Sequence, residues 1–311
     1  MTGIATRFLQ MAGTLWLMSF AVFCLIGLMP GDPIDLMIAG NPHMTPDDAA
    51  RLRALHGLDK PLLERYGHWL AAALGGDFGY SRLYGLPVLD VIFPRLGNTL
   101  VLLGAALGLT VIAAVPVGVY AARMKGTRRD ALINFIALAG MSVPPFWTGI
   151  MLVYIFSAQL GVLPASATMD NALSLFLPVV TLALSAFAVY VRHMRSAMAD
   201  TLKAEHVKTA RAKGCGEARI VWHHAFRNAL PPVVTIFMLD LGALAGGTVT
   251  IETVFAFPGM GKLMFDAVMG NDYNLALVGF LILTALVLSA NFVADALYGF
   301  IDPRVRARGS R

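Results

Sequence analysis

Charge is scarce in this sequence. Acidic and basic residues together make up 14% of the 311 positions, against roughly a quarter in a soluble domain. That shortage excludes an ordinary water-soluble enzyme. Cysteine is scarcer still: Cys24 stands in an apolar run and Cys215 in a polar one, a placement that suggests neither a disulfide nor a thiolate metal site. The seven histidines are scattered. His223 and His224 are adjacent, so on a helix they point about 100° apart and chelate poorly. No GxxxxGK[ST] loop occurs, and Gly259-x-Gly261-Lys262 lacks its spacing. Without a Ser/His/Asp constellation either, no catalytic, cofactor-binding or metal-binding residues are expected, and the chain is not expected to hydrolyse ATP itself.

Long apolar runs are what the sequence has instead. A mean hydropathy of +0.68, with 57% hydrophobic residues, places it among all-α, multi-span membrane proteins. The first run, Phe8 to Met29, is longer than a signal-peptide core of about 7–15 residues, and Leu28-Met29-Pro30 offers no small-residue cleavage site. Residues 1–29 are therefore read as a retained first transmembrane helix.

Residues 30–97 follow as a polar external loop region. Thr45 opens a helix to Leu55, with threonine as N-cap, Pro46 at the first helical position and Asp47 and Asp48 in the first turn. Lys60 to Leu74 is a second, amphipathic helix, and Gly75 to Ser81 a turn. A loop of this length is usually functional or disordered, and its two helices argue that it is folded.

Residues 98–311 form a core of five further spans, for six in all. Asn98–Ala122 is about 37 Å long as a helix and contains Pro116. Ala131–Gln159 is expected to bend at Pro144-Pro145. Leu173–Tyr190 is the fourth span. Val233–Val254 is rich in small residues that permit close helix packing, and Leu275–Phe300 is the last. Phe255 to Asn274 reads as a half-apolar hairpin that either re-enters the membrane or covers the external mouth. Of the 24 lysines and arginines, 17 lie at Arg7, in the 123–129 turn, between Arg192 and Arg227, and in the tail from Arg304. The positive-inside rule makes that side, with both termini, cytoplasmic.

One polar, basic stretch between two spans, Asp200 to Pro232, organises the chain. Asp200 is a candidate N-cap and Thr201 to Lys213 a short helix. Gly214 and Gly216 break it, since glycine takes the left-handed conformation at little cost. A second helix starts near Glu217, and Pro231-Pro232 close the segment. A helix–glycine turn–helix also mimics a DNA-binding module, but spans at both ends pin this one to the bilayer, so no nucleic acid is expected.

The run Glu205-His206-Val207-Lys208-Thr209-Ala210-Arg211-Ala212-Lys213-Gly214, with His224-Ala225-Phe226-Arg227-Asn228-Ala229-Leu230-Pro231, resembles the cytoplasmic signature of ABC importer permeases. The resemblance is to the dipeptide/oligopeptide/nickel branch, and within it to the subunit with a long first external loop. PGDP, GLDKPLLERYGHWL, GDFGYS, SVPPFWTG, VFAFPGMGKLMFDAV, NDYN and IDPRVR also match. Lys208-Thr209-Ala210 replaces the Glu-Ala-Ala of other branches.

The resemblance implies a type I importer-permease-like fold in a bacterial inner membrane, with a coupling segment at residues 196–231. Glu205, Lys208, Thr209, Ala210, Arg211, Lys213 and Gly214 would meet an ATPase subunit. A small face of Ala204, Ala210 and Ala212 would seat the helix there, inside a polar rim. The implied partners are a second permease subunit, two ATPase subunits that bind the ATP-Mg, and an extracytoplasmic substrate-binding protein.

Two acids fall inside spans, Asp240 and Asp295. A charge at membrane depth costs about 2.5–3.5 kcal/mol on insertion scales and faces a cavity or a partner. They line the translocation path or are satisfied structurally. The alternative is a proton relay, which would make the chain a proton-coupled secondary transporter. Glu252, near the external end of its span, is expected to be hydrated.

Overall fold

Helix follows helix through the computed structural model, which describes residues 2–27, 47, 51 and 59–301. In chain order these are α1 (Thr2–Gly27), α2 (Leu62–Leu74), α3 (Val88–Arg123), α4 (Arg128–Met141), α5 (Pro145–Leu152), α6 (Phe176–Thr201), α7 (Glu205–Ala212), α8 (Phe226–Gly247), α9 (Val249–Val254), α10 (Met260–Met269) and α11 (Tyr273–Ile301). π-Helical turns at Val153–Gln159 and Ile220–Ala225 extend α5 and lead into α8. Among the described residues the only strand-like pairing is an isolated antiparallel bridge, Tyr80 to Pro87. Of the helix expected from Thr45 to Leu55 only Asp47 and Arg51 are among the described residues, both helical, and the basic tail lies outside them.

Four described helices are long and apolar enough to cross a membrane, at Phe8–Gly27, Val88–Arg123, Phe176–Thr201 and Tyr273–Val293. Arg128–Met141 with Pro145–Gln159 makes a fifth if the pair is one span, and it bends by 93°. That bend falls at the expected prolines. Pro144 caps α5 with φ −60° and ψ 135°, outside the helical region, and Pro145 takes the first helical position, where its missing N–H costs nothing.

The chain divides into two compact units. In the unit of Met1–Gly97 and Gly259–Leu286, α1 packs on α2. Tyr66 is the anchor: its hydroxyl lies 2.8 Å from Ser19 Oγ, and Phe20 and Phe23 meet its ring edge-on. A second cluster joins Val88 and Ile92 to Met260, Leu263, Met264, Leu275 and Val278. Ser81 Oγ donates to Asp272 Oδ2 at 2.5 Å, and the Leu83 amide reaches the same oxygen at 3.0 Å. The second half of the expected external hairpin is therefore a helix, α10, followed by a tight turn in which Asn271 adopts φ +54°.

In the unit of Asn98–Pro258 and Val287–Arg311, two apolar clusters form the core. One joins Leu107, Val115 and Val119 to Tyr190, Val191, Met194, Met198, Val207, Ile220 and Val221. The other joins Leu102 and Ala106 to Leu177, Leu182, Ile251, Phe255 and Phe257. Gly118 permits the close crossing of α3 and α6, because a β-carbon there would stand 2.9 Å from the Val191 carbonyl oxygen. Leu132, Phe135, Ile136 and Leu138 of α4 are half or more exposed, as a helix surface meant for apolar surroundings is.

Several boundaries differ from the sequence reading. Helix α3 starts at Val88, inside the stretch assigned to the loop, because Pro87 precedes it and Asp90 suits its first turn. Asp200 is not an N-cap: α6 continues to Thr201, since Met194, Met198 and Ala199 keep one face buried. Pro231 and Pro232 lie inside α8 rather than closing the segment, a position that membrane helices tolerate. Glu252 is not hydrated. It is fully buried and accepts a hydrogen bond from Thr99 Oγ1 at 2.7 Å.

Candidate functional site

The polar segment between α6 and α8 is a short helix clamped at both ends. Three residues, Leu202 to Ala204, separate α6 from α7. Ala204 stands at the N-cap with extended backbone and no side-chain cap. At the other end Gly214 takes φ +80°. Its amide donates to the Arg211 carbonyl at 3.0 Å, and the Cys215 amide donates to the Ala210 carbonyl at 3.2 Å. Those two bonds are a Schellman cap, which only a left-handed residue closes easily. Gly216 differs: its φ of −65° and ψ of 148° are open to any residue. The two glycines, alike in sequence, are therefore unlike in role.

Helix α7 has an inner and an outer face. Val207 is fully buried and Ala210 is 7% exposed, and Val207 stands in one cluster with Ile220, Val221 and Ala225 of the π-helical turn. The small face therefore splits: Ala210 is spent on the chain's own core, Ala204 is half-buried and Ala212 exposed. Glu205, His206, Lys208, Thr209, Arg211, Lys213 and Gly214 are exposed. Lys208 Nζ meets Glu205 Oε1 at 2.7 Å, and Arg211 Nε meets Glu217 Oε1 at 2.8 Å. The Arg211 guanidinium holds the Glu217 carboxyl below the usual carboxylate range, with Arg123 adding to the effect. This second pair bridges the glycine turn. Asn228 lies against His206 at 3.4 Å and donates to the His224 carbonyl at 2.8 Å.

One buried ion pair escaped the sequence reading. Arg195, near the end of α6, donates through Nε to Asp130 Oδ1 at 2.5 Å and through Nη2 to Oδ2 at 2.6 Å. The Gly126 amide and Asn134 Nδ2 complete the carboxylate's shell at 3.0 and 2.9 Å. Asp130 is 4% exposed. The spacing Thr127-x-x-Asp130 signals only the start of α4, which Thr127 caps, and carries nothing about Arg195.

Of the two intramembrane acids, Asp240 is half-buried on α8 and interacts with Tyr190 and His193 of α6. Tyr190 is fully buried, yet its hydroxyl closes no hydrogen bond of ordinary geometry. Asp295 lies within α11, but its side chain is outside the described set. Among the described residues no group of His, Cys, Asp or Glu is arranged to hold a metal.

Four apolar helices long enough to cross a membrane, with one short polar helix between α6 and α8, mark a membrane protein. The architecture is that of solved ABC transporters. It superposes on a chain of the MetNI methionine ABC transporter in an inward-facing conformation with a TM-score of 0.58 at 18% identity, covering 70% of this chain and 98% of that one. Residues 114–307 match the binding-protein-dependent transport system inner membrane component family, and the chain belongs to that family.

Similar proteins include the oligopeptide transport system permease protein AppB of Bacillus subtilis, 36% identical over 91% of this chain and 92% of the relative. The dipeptide transport system permease protein DppB of Escherichia coli is 33% identical over 91% and 92%. The glutathione transport system permease protein GsiC of Escherichia coli is 36% identical over 97% and 98%. The family and these relatives make the chain a permease subunit rather than a proton-coupled secondary carrier, so the relay alternative for Asp240 and Asp295 falls. The chain is a transport subunit and not an ATPase.

Proposed function

We propose that this chain carries peptides or peptide-like solutes across the bacterial inner membrane as one permease half of an ATP-driven importer. The observation that carries the reading is similarity at 33–36% identity, over nine-tenths or more of the chain, to oligopeptide, dipeptide and glutathione permeases. The assembly comprises a second permease subunit, two ATPase subunits and an extracytoplasmic binding protein. Six helices cross the membrane with both termini in the cytoplasm. The fifth is α8, whose 22 residues reach about 33 Å. Residues 30–97 lie outside and help receive the binding protein.

Within this reading α7 is the coupling helix. A span cannot sense ATP by itself, so a rigid piece must contact the motor and move with it. A helix of eight residues, capped at Gly214 and seated on Val207 and Ala210, is such a piece. Its exposed Glu205, Lys208, Thr209, Arg211 and Lys213 present the polar contact surface, and Ala210 supports them from beneath. Asp240 and Asp295 are assigned to the translocation path.

The test is reconstitution in lipid with the partner permease, ATPases and binding protein. Uptake of labelled di- and oligopeptides, driven by ATP and dependent on loaded binding protein, is expected. Alanine replacement of Lys208, Arg211 and Lys213 together should lower ATPase stimulation while membrane insertion persists. Full stimulation in that triple variant removes α7 from the coupling role, and ATP-independent uptake removes the importer reading.

A further inference from the structure

We infer that the Asp130–Arg195 pair is a positioning link that carries the motion of α7 into the bent α4–α5 span. The inference rests on the coupling role proposed for α7. Helix α7 hangs from α6 by three residues, so a push on α7 arrives first at the last turns of α6. There Val191, Met194 and Met198 are fully buried, but apolar contacts let helices slide and rotate past one another. A guanidinium and a carboxylate joined by two parallel hydrogen bonds do not, because the fork fixes orientation as well as distance.

The arrangement at Asp130 extends the grip. Its Oδ1 accepts from Arg195 Nε and Asn134 Nδ2, and its Oδ2 from Arg195 Nη2 and the Gly126 amide. One carboxylate therefore holds the end of α6, the first turns of α4 and the tight turn before α4, where Gly126 sits at φ +85°. Arg195 is 23% exposed at its side chain and Asp130 6%, so solvent screens the pair little. When the end of α6 moves, the start of α4 moves with it. Helix α4 leads directly to the 93° break before α5, where a displaced first half can change the angle of the span.

The experiment uses the complete reconstituted importer with Asp130→Asn, Arg195→Gln, the double variant and Arg195→Lys, alongside the α7 triple alanine variant. Co-purification, basal ATP hydrolysis, stimulation by loaded binding protein and ATP consumed per peptide imported are measured. We expect the single variants to assemble normally and keep basal hydrolysis. Maximal stimulation should fall about five-fold or more, the low end of a typical coupling free energy. The half-saturating binding-protein concentration should not change. The double variant should be no worse than either single one, and Arg195→Lys, which keeps charge but loses the fork, should fall between.

Unchanged stimulation and stoichiometry in all four variants, with the α7 variant impaired, overturn the link and leave the coupling helix standing. Unchanged stimulation in the α7 variant overturns both. Failure to assemble in every variant, Arg195→Lys included, assigns the pair to folding and also overturns the link.

Discussion

Gly214 offers the cleanest perturbation, because its environment isolates a single cost. A β-carbon built there meets nothing within 4 Å, and the same holds at Gly216. Steric crowding therefore separates neither site from wild type. What differs is backbone: φ is +80° at Gly214 and −65° at Gly216. An L-residue held in the left-handed region costs about 1–2 kcal/mol, and valine, branched at Cβ, takes the upper end. Since about 1.4 kcal/mol is a factor of ten, Gly214→Val should lower the population of the closed cap by roughly 30-fold. The bonds lost are the Gly214 amide to Arg211 and the Cys215 amide to Ala210.

Amide hydrogen exchange at those two positions should accelerate, and binding-protein-stimulated ATP hydrolysis in the reconstituted complex should fall while membrane insertion is unaffected. Gly214→Asn, which tolerates the left-handed region, should stay close to wild type, and Gly216→Ala should be neutral. Equal behaviour of Gly214→Val and Gly216→Ala in both assays refutes the reasoning.

Ala210→Asp should act through the chain's own packing, burying an unpaired charge at a cost of about 3 kcal/mol or more. Purified protein should lose thermal stability, whereas Lys208→Ala should not, and equal melting of the two contradicts the inward placement. Cysteines placed at Ser166 and Leu86, both exposed, should label from outside intact cells while native Cys215 does not, and external labelling of Cys215 overturns the orientation. Ser81 should resist labelling despite its place in a polar loop, because it is 2% exposed and bonded to Asp272. The Glu217 carboxyl is held below its ordinary value by Arg211, so the pair's contribution is complete above about pH 4.5 and is lost as pH falls through the lowered value. Exchange protection of residues 205–219 should weaken on acidification to pH 4, and Glu217→Gln should abolish that pH dependence; an unchanged profile in the variant contradicts the assignment.

What the sequence determined by itself is whatever local chemistry settles. Runs near 20 apolar residues form helices because lipid leaves a backbone no other way to satisfy its hydrogen bonds. Pro144-Pro145 breaks one of them because an imino nitrogen has no proton to give. Gly214 ends α7 because no β-carbon opposes its turn. Family membership was legible for the same reason, carried by contiguous motifs.

Tertiary contacts decided the rest. Asp200 has the chemistry of a cap, but the buried stripe of Met194 and Met198 extends α6 past it. Gly214 and Gly216 are indistinguishable as letters, and the structure separates them: one closes α7 at φ +80°, the other stands at the N-cap of the turn Glu217–Arg219 with extended backbone. Ala210 looks like a contact surface until Ile220 and Val221 are seen to stand in one core with its neighbour Val207. Asp130 and Arg195 are separated by 65 positions, and along the chain nothing links one to the other. Their meeting depends on how α4 crosses α6, and a long-range contact of that kind has no periodicity or spacing for a linear reading to detect.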